Sequence, residues 1–327
     1  MQPVLQVSNL SVSFDTPRGE VEAVRDVSWQ LDAGEVLAVV GESGCGKTVM
    51  VQSIMKLLPE NSKIRQGKIL VSGEDITGYG EKQMRRLRSS EFSMVFQDPM
   101  TSLNPTIPIG KQMVEAIRKH RKISREEAKG IAVDLMRLVK IDDAKERFYL
   151  QPHYFSGGMR QRCVLAMAMA SEPRVIFADE PTTALDVTIQ AEILHLIRSL
   201  KEEKGISFVF ISHDLGVVAG VADRIAIMYA GKIVETGTAE EIFYDPRHPY
   251  TWGLLGALPD FAKDGKLETI PGVPPTMIDL PRGDAFAVRN KYAMRIDYEE
   301  MPPMFKITDT HYAATWLLDR RAPKIIR

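Results

Sequence analysis

The sequence predicts an α/β fold, and three observations lead to that class. Residues 36–40, 175–178 and 206–211 are short apolar runs, and the last two end abruptly in polar residues, as buried parallel strands do. Segments with helical periodicity separate these runs along the chain. A glycine-rich segment at residues 41–48 lies between the first run and a predicted helix, where strand-to-helix loops bind phosphate groups. Such folds carry their chemistry at the carboxyl ends of the strands.

Composition narrows the class of protein further. The 327 residues include 42 Lys and Arg against 43 Asp and Glu, so no global charge favours nonspecific binding of nucleic acid. Two cysteines, Cys45 and Cys163, are too few for a disulfide framework and indicate a reducing, cytosolic compartment. We expect no signal peptide, and no apolar run approaches the roughly 18 residues that a membrane helix needs.

The first part of the chain is predicted to be β structure followed by one helix. Residues 4–14, 21–31 and 35–40 are rich in β-branched and apolar side chains, which favour strands. After them, apolar residues recur at helical spacing from Met50 to Leu58. This helix is expected to end there because Pro59 follows.

Helical patterns dominate the middle of the chain. Apolar residues recur at helical spacing over residues 111–139, around a polar break at 119–124, and another helix is predicted to start near Thr188. The basic run at residues 82–88 is interpreted as a solvated helix face. Beyond Gly237 many prolines leave little room for long helices.

The glycine-rich segment has the composition of a phosphate-binding loop. Its backbone N–H groups would cradle an anion at a helix N-terminus, while Lys47 reaches the terminal phosphates and the Thr48 hydroxyl ligates Mg²⁺. Cys45 is interpreted as a small filler rather than a nucleophile. The residues predicted to bind nucleotide here are Gly41, Glu42, Ser43, Gly44, Cys45, Gly46, Lys47 and Thr48.

An acidic pair follows the second apolar run. Asp179 and Glu180 close the strand predicted at residues 175–178, which places one carboxylate beside a metal ion and the other near an attacking water. Asp179 is therefore predicted to hold Mg²⁺, and Glu180 to activate water. A phosphate loop and an acidic pair leave kinases, GTPases, helicases and many ATPases open.

A second anion-facing helix N-terminus decides between these classes. Ser156, Gly157 and Gly158 open an apolar helix, and Gln161 follows three residues later. With the phosphate loop and the acidic pair in this order, the chain resembles the ATP-binding subunits of ABC transporters. That resemblance implies a P-loop ABC ATPase domain with a mixed core sheet, an antiparallel β subdomain and a helical subdomain. It also implies that two ATPase chains sandwich two ATP molecules.

The resemblance assigns further site residues. Gln97 matches the glutamine that touches Mg²⁺ and water, and His213 matches the switch histidine near the γ-phosphate. Residues 184–186, including Asp186, match the loop that communicates across the dimer. Phe14 is the candidate for stacking on adenine. The implied domains are an ABC ATPase domain at 1–237, with its helical subdomain at about 98–170, and a C-terminal extension at 238–327.

Three segments of the sequence also resemble one branch of this family. Residues 96–105, 178–186 and 248–251, with the proline-rich extension, are similar to oligopeptide and dipeptide importers, a branch that includes nickel and glutathione importers. The implied partners are two transmembrane permease subunits, a second and paralogous ATPase, and an extracytoplasmic peptide-binding protein. The implied location is the cytoplasmic face of the cell membrane, with no nucleic acid bound.

Other interpretations stay open at this stage. The transported solute could be nickel or glutathione instead of peptide, and an exporter subunit is a related alternative. A soluble ABC protein acting on ribosomes or DNA is the alternative from another class. Against it stand the single set of motifs and the absence of a heptad run.

The extension departs from many relatives, which bind an iron–sulfur cluster there through four cysteines. The aligned residues are Asp284, Asn290, Asp297 and Thr315. None supplies a soft thiolate, so no iron–sulfur cluster is expected. The extension is predicted to pack through its own apolar side chains. A hard-cation site at Asp284, Asn290 and Asp297 is the alternative hypothesis.

Overall fold

The computed structural model describes residues 2–183, 185–261 and 267–325. Within them no helix combines the length and the apolar character that crossing a membrane requires. The strands are β1 (Leu5–Thr16), β2 (Gly19–Leu31), β3 (Val36–Val40), β4 (Ser62–Val71), β5 (Glu74–Asp75), β6 (Phe92–Val95), β7 (Val175–Asp179), β8 (Ser207–Ser212), β9 (Arg224–Tyr229), β10 (Lys232–Thr238), β11 (Phe305–Lys306) and β12 (Tyr312–Ala313).

The α-helices are distributed among these strands. They are α1 (Lys47–Ile54), α2 (Glu81–Ser90), α3 (Pro99–Ser102), α4 (Ile109–His120), α5 (Arg125–Leu138), α6 (Ala144–Arg147), α7 (Gly157–Ala168), α8 (Val187–Lys204), α9 (Leu215–Ala219), α10 (Ala239–Tyr244), α11 (Pro249–Gly256) and α12 (Arg295–Glu299). This order confirms the α/β class.

The chain divides into two compact units, each assembled from several segments. One unit contains residues 2–4, 31–36 and 78–211 as far as they are described, and we call it the helical unit. The other contains residues 5–30, 37–77 and the described part of 212–325, and we call it the phosphate-loop unit.

The helical unit contains a parallel sheet with strand order β6-β7-β8. Every residue of β7 and β8 is buried, which explains their continuous apolar sequence. Helices α4 and α5 pack against each other and against α7. The polar break between α4 and α5 coincides with the predicted one. As expected for a solvated helix, α2 buries only Met84.

The phosphate-loop unit contains the antiparallel pairs β1-β4 and β4-β5. In addition, β3 pairs in parallel with β9, and β9 pairs antiparallel with β10. Strand β12 of the extension pairs with β10, and β11 pairs with β12. The extension therefore continues a sheet that begins with β3, the strand that leads into the phosphate loop.

Helix α1 ends earlier than its periodicity predicts. Its last residue is Ile54 rather than Leu58. Lys56 has φ +50°, a left-handed conformation that cannot continue a right-handed helix. The chain then turns back, and the N–H of Leu57 donates to the Gln52 carbonyl at 2.8 Å. Leu57 is 41% exposed. It therefore does not belong to the buried face of a helix, although its spacing suggested that it would.

The extension packs in part through its own aromatic side chains: the ring centres of Phe305 and Trp316 are 6.2 Å apart, and those of Trp252 and Tyr292 are 5.5 Å apart. Among the apolar side chains of the extension, Phe286 is 2% exposed and Met304 is 43% exposed. The half-buried ones include Tyr292, Met294, Ile296, Phe305, Tyr312 and Trp316. The extension also docks on the rest of the phosphate-loop unit, through the β10-β12 pair and the contact of His311 with Glu235. The two compact units are not the two predicted domains, because each unit combines segments from distant parts of the chain. The domain boundary at residue 237 stays a prediction.

Candidate nucleotide site

The phosphate loop connects β3 to α1 and lies close to neighbouring backbone. Gly46 has φ +103°, and a Cβ atom there would stand 2.1 Å from the Ala23 carbonyl oxygen. A Cβ atom on Gly41 would stand 2.1 Å from the Met228 carbonyl oxygen. Only glycine fits these two positions. The loop therefore has the narrow path that lets backbone N–H groups face an anion.

Lys47 lies at the start of α1, and it is 5% exposed. Its Nζ donates to the carbonyl oxygens of Gly41 at 2.7 Å and Glu42 at 3.0 Å. Cys45 is buried beside it, and burial raises the pKa of the Cys45 thiol, which supports the filler role. Thr48 follows in the first turn of α1. A glycine cradle with an inward-folded lysine fits the phosphates of a nucleotide.

Glu42 is fixed by residues that the sequence analysis assigned no role. Its carboxylate accepts two hydrogen bonds from the guanidinium of Arg289, at 2.6 and 2.8 Å. Its backbone N–H donates to the Tyr250 hydroxyl at 2.9 Å. Arg289 and Tyr250 belong to the 238–327 region, more than 200 positions from Glu42. A buried arginine has no sequence signal of its own, so only the structure identifies it.

The acidic pair lies at the end of β7, in the helical unit. Asp179 is 5% exposed and pairs in register with Ile211. Glu180 has φ +47°, a left-handed conformation that costs a non-glycine residue about 1 kcal/mol. Its carboxylate Oε2 accepts hydrogen bonds from the Gln97 amide at 3.1 Å and the Thr183 hydroxyl at 3.0 Å. The structure thus places two of the predicted residues, Gln97 and Glu180, in hydrogen-bond contact. It also identifies Thr183, which the sequence did not, as a second partner of Glu180.

The predicted second helix N-terminus is present at α7. Ser156 caps this helix, and its hydroxyl accepts from the N–H of Met159 at 3.3 Å. Gly157 is exposed, whereas a Cβ atom on Gly158 would stand 2.3 Å from the Ile189 side chain of α8. Gln161 is 1% exposed, and its Nε2 has no hydrogen-bond partner among the described residues.

The remaining predicted residues are Asp186, His213 and Phe14, and their local surroundings differ. Asp186 caps α8 and accepts from the N–H of Ile189 at 3.0 Å, while Ala184 lies outside the described residues. His213 is exposed directly after β8. Phe14 is half-buried on β1, opposite Ser62 of β4, and no described contact tests its role on adenine.

The four residues aligned with cluster cysteines share one structural role. All are buried, and each side chain accepts a hydrogen bond from a nearby backbone N–H. The pairs are Asp284 with Phe286 at 2.9 Å, Asn290 with Tyr292 at 2.9 Å, Asp297 with Met294 at 2.6 Å, and Thr315 with Leu317 at 3.3 Å. These oxygens hold local turns together.

The hard-cation hypothesis for this region stays open. Among the described residues, no group of three or more His, Cys, Asp or Glu side chains is placed to hold a metal ion. The proposed set contains Asn290, so that finding does not address it.

Comparisons with known proteins match this architecture. A family model described as ABC transporter matches residues 24–183, and one described as Oligopeptide/dipeptide transporter, C-terminal region, matches residues 234–296. Among solved structures, cbiO1 from Clostridium perfringens superposes with a TM-score of 0.66 at 25% identity, covering 75% of this chain and 92% of that one. The dimeric bacterial ABC transporter cassette MJ0796 superposes with a TM-score of 0.64 over 72% and 98% of the two chains.

Fold and phosphate loop together define an ATP-binding cassette of the ABC transporter class, whose members are ATPases coupled to transport. Two relatives cover nearly the whole chain. The oligopeptide transport ATP-binding protein OppD of Bacillus subtilis is 56% identical over 98% of this chain and 91% of its own length. The dipeptide transport ATP-binding protein DppD of Lactococcus lactis is 53% identical, with coverage of 99% and 93%. The chain belongs to this family of ATP-binding subunits of oligopeptide and dipeptide ABC transporters.

Proposed function

We propose that this chain is the ATP-hydrolysing subunit that drives import of oligopeptides or dipeptides through two transmembrane permease subunits. It would work at the cytoplasmic face of the cell membrane, beside a second and paralogous ATPase. An extracytoplasmic peptide-binding protein would deliver the cargo, and nucleic acid would play no part. The names of the relatives and the match over residues 234–296 support this proposal.

The observation that carries the catalytic part is the hydrogen bond between Gln97 and Glu180. An amide and a hydroxyl both bind Oε2, so they orient the carboxylate. A carboxylate held in this way is suited to take a proton from a water that attacks a phosphate. In this proposal Asp179, Thr48 and Gln97 hold Mg²⁺, which neutralises charge on the phosphates when bound.

The nucleotide would be shared between two ATPase chains. The phosphate loop of one chain, with Lys47, would hold the phosphates. Residues 156–158 and Gln161 of the second chain would close the site, with Asp186 and His213 linking the two halves. The support is the exposed N-terminus of α7, where backbone N–H groups favour an anion. We expect no iron–sulfur cluster, since oxygen replaces sulfur at all four aligned positions.

The test of the catalytic part is a Glu180→Gln variant in the transporter purified with its partner subunits. The amide cannot take the proton, so steady-state ATP hydrolysis should fall by about 100-fold or more while ATP still binds. The two ATPase chains should then stay associated in ATP. A Glu203→Gln variant, at an exposed position on α8, serves as the matched control. Full turnover in Glu180→Gln would contradict the proposal.

The test of the transport part starts from native membranes. Gentle purification of tagged chain followed by mass spectrometry should recover two permeases, a second ATPase and a peptide-binding protein in stoichiometric amounts. The recovered complex, rebuilt in liposomes, should take up a labelled tripeptide in preference to nickel or glutathione. Ribosomal or DNA-repair partners without a membrane protein would overturn the transport assignment and leave the ATPase chemistry intact.

A further inference from the structure

One arginine of the C-terminal extension, Arg289, forms a salt bridge with Glu42 of the phosphate loop. Both terminal nitrogens of Arg289 donate to the Glu42 carboxylate, Nη1 to Oε2 at 2.6 Å and Nη2 to Oε1 at 2.8 Å. Two parallel charge-assisted bonds fix the angle between the two planes as well as their distance. Lysine, a point charge, could not reproduce this arrangement.

The guanidinium is itself held rigidly. The Arg289 side chain is 4% exposed, its Nε donates to the Pro271 carbonyl at 2.8 Å, and Nη1 lies 3.3 Å from the Tyr229 hydroxyl. Its Cζ also lies 5.7 Å from the centre of the Tyr229 ring. Hydrogen bonding to Glu42 raises the pKa of Arg289 further above its usual range. The extension thus presents a permanent cation in one orientation.

The backbone of Glu42 is also hydrogen-bonded, and one of its partners is Lys47, the residue predicted to bind the phosphates. Its N–H is bound to the Tyr250 hydroxyl, and its carbonyl oxygen accepts from Lys47 Nζ at 3.0 Å. Side chain, amide and carbonyl of one loop residue are therefore all engaged. Hydrogen bonds therefore connect Arg289 through Glu42 to Lys47, the lysine predicted to bind the nucleotide phosphates.

An aromatic cluster supports the same connection. The ring centres of Tyr229 and Tyr250 are 4.7 Å apart, and Phe286 of the extension packs against both, at 5.2 and 5.4 Å. Phe286 lies three positions before Arg289. When Phe286 packs against these two tyrosines, it therefore also places the Arg289 guanidinium near Glu42.

We propose that Arg289 is a positioning residue for ATP binding, acting through Glu42 on the shape of the phosphate loop. The affinity of the cassette for ATP then depends on the extension being docked. The alternative is an ion pair that stabilises the fold and leaves nucleotide binding unaffected. The proposal rests on the ATPase activity of the family and not on the transported solute, so its test reads ATP binding directly.

The experiment compares Arg289→Met and Arg289→Lys with the unchanged protein in the purified transporter. We expect Arg289→Met to raise the dissociation constant for ATP, and KM, by about tenfold or more, since a partly buried charge-assisted pair is lost. The value of kcat should change less. Arg289→Lys should recover only part of the affinity. The control is Arg295→Met, which removes an exposed arginine paired with Glu299 in the same extension.

A double-mutant cycle with Glu42→Gln separates positioning from stability. If Arg289 acts through Glu42, Arg289→Met should weaken ATP binding little further once Glu42→Gln is present. Thermal unfolding is measured on every variant, and Glu42→Gln alone carries the test if Arg289→Met fails to fold. Unchanged ATP affinity in a folded variant would overturn the proposal, and so would fully additive effects of the two substitutions.

Discussion

Glu235 of β10 and His311 of the extension lie 2.8 Å apart, Oε1 to Nε2, and both side chains are fully buried. The same carboxylate accepts from the N–H groups of Arg247 at 2.5 Å and His248 at 3.0 Å. Three donors thus compensate for removing one carboxylate from water. Since Glu235 also stands opposite Ala313 in the β10-β12 pair, it connects the extension to the sheet by side chain and backbone together.

Replacing Glu235 by Gln should destabilise the protein. An amide offers one acceptor oxygen instead of two, and its NH₂ group would face donors. We expect the free energy of unfolding to fall by about 2–3 kcal/mol, measured by chemical denaturation. Glu240→Gln, at an exposed position on α10, should change it by less than about 0.5 kcal/mol. Equal stability of the two variants would show that the buried network does not hold the extension.

The stability of the extension should depend on the pH through Asp284. Burial raises the pKa of Asp284 from its ordinary 3.8 to about 6, against the lowering effect of the hydrogen bond from the Phe286 N–H; the nearby Asp297 carboxylate adds to the rise and Arg25 opposes it. The folded state therefore binds the proton more tightly than the unfolded state. The stability this confers is fully present below pH 4 and is lost as the pH rises through 6.

An Asp284→Asn variant tests this dependence, because Asn keeps the oxygen that accepts from the Phe286 N–H. At pH 8 the variant should be more stable than the unchanged protein by up to about 3 kcal/mol, the equivalent of two pKa units. Near pH 4 the difference should vanish. Denaturation curves at several pH values measure it, with exposed Asp279→Asn as the control. A difference that is independent of pH would contradict the assignment.

Gln97→Ala should slow ATP hydrolysis more than it weakens ATP binding. The substitution removes a hydrogen bond that orients Glu180 Oε2, and Thr183→Val removes another. We expect kcat to fall by about tenfold or more for Gln97→Ala. Steady-state kinetics of the assembled transporter measure this, with exposed Gln30→Ala as the control. An unchanged kcat in both variants would mean that orientation of Glu180 has no role in the rate.

Gly46→Ala should abolish nucleotide binding, whereas Gly44→Ala should only weaken it. Both glycines have positive φ, at +103° and +79°, so either substitution costs about 1 kcal/mol in backbone strain. Only Gly46 also faces a carbonyl oxygen 2.1 Å from the new Cβ, while Gly44 has nothing within 4 Å. Titration with ATP compares the two variants. Similar affinities would show that the close approach to Ala23 does not shape the loop.

Much of the fold and the site could be predicted because the signals are local. The apolar runs of β7 and β8, the periodicity of α4 and α5 and the start of α7 at Ser156 depend on neighbouring residues. Prediction was wrong where a single residue decided. Lys56 ends α1 by adopting a left-handed conformation.

By itself, the sequence determined the class of this protein and its phosphate loop, because a strand, a glycine-rich turn and a helix N-terminus form an anion cradle from contiguous backbone. The tertiary structure alone decided what holds that loop. Arg289 and Glu42 are 247 positions apart, and His311 and Glu235 are 76 apart. Such pairs leave no periodicity or spacing in the sequence, since their partners meet only when strand pairing and burial bring the extension back to the sheet.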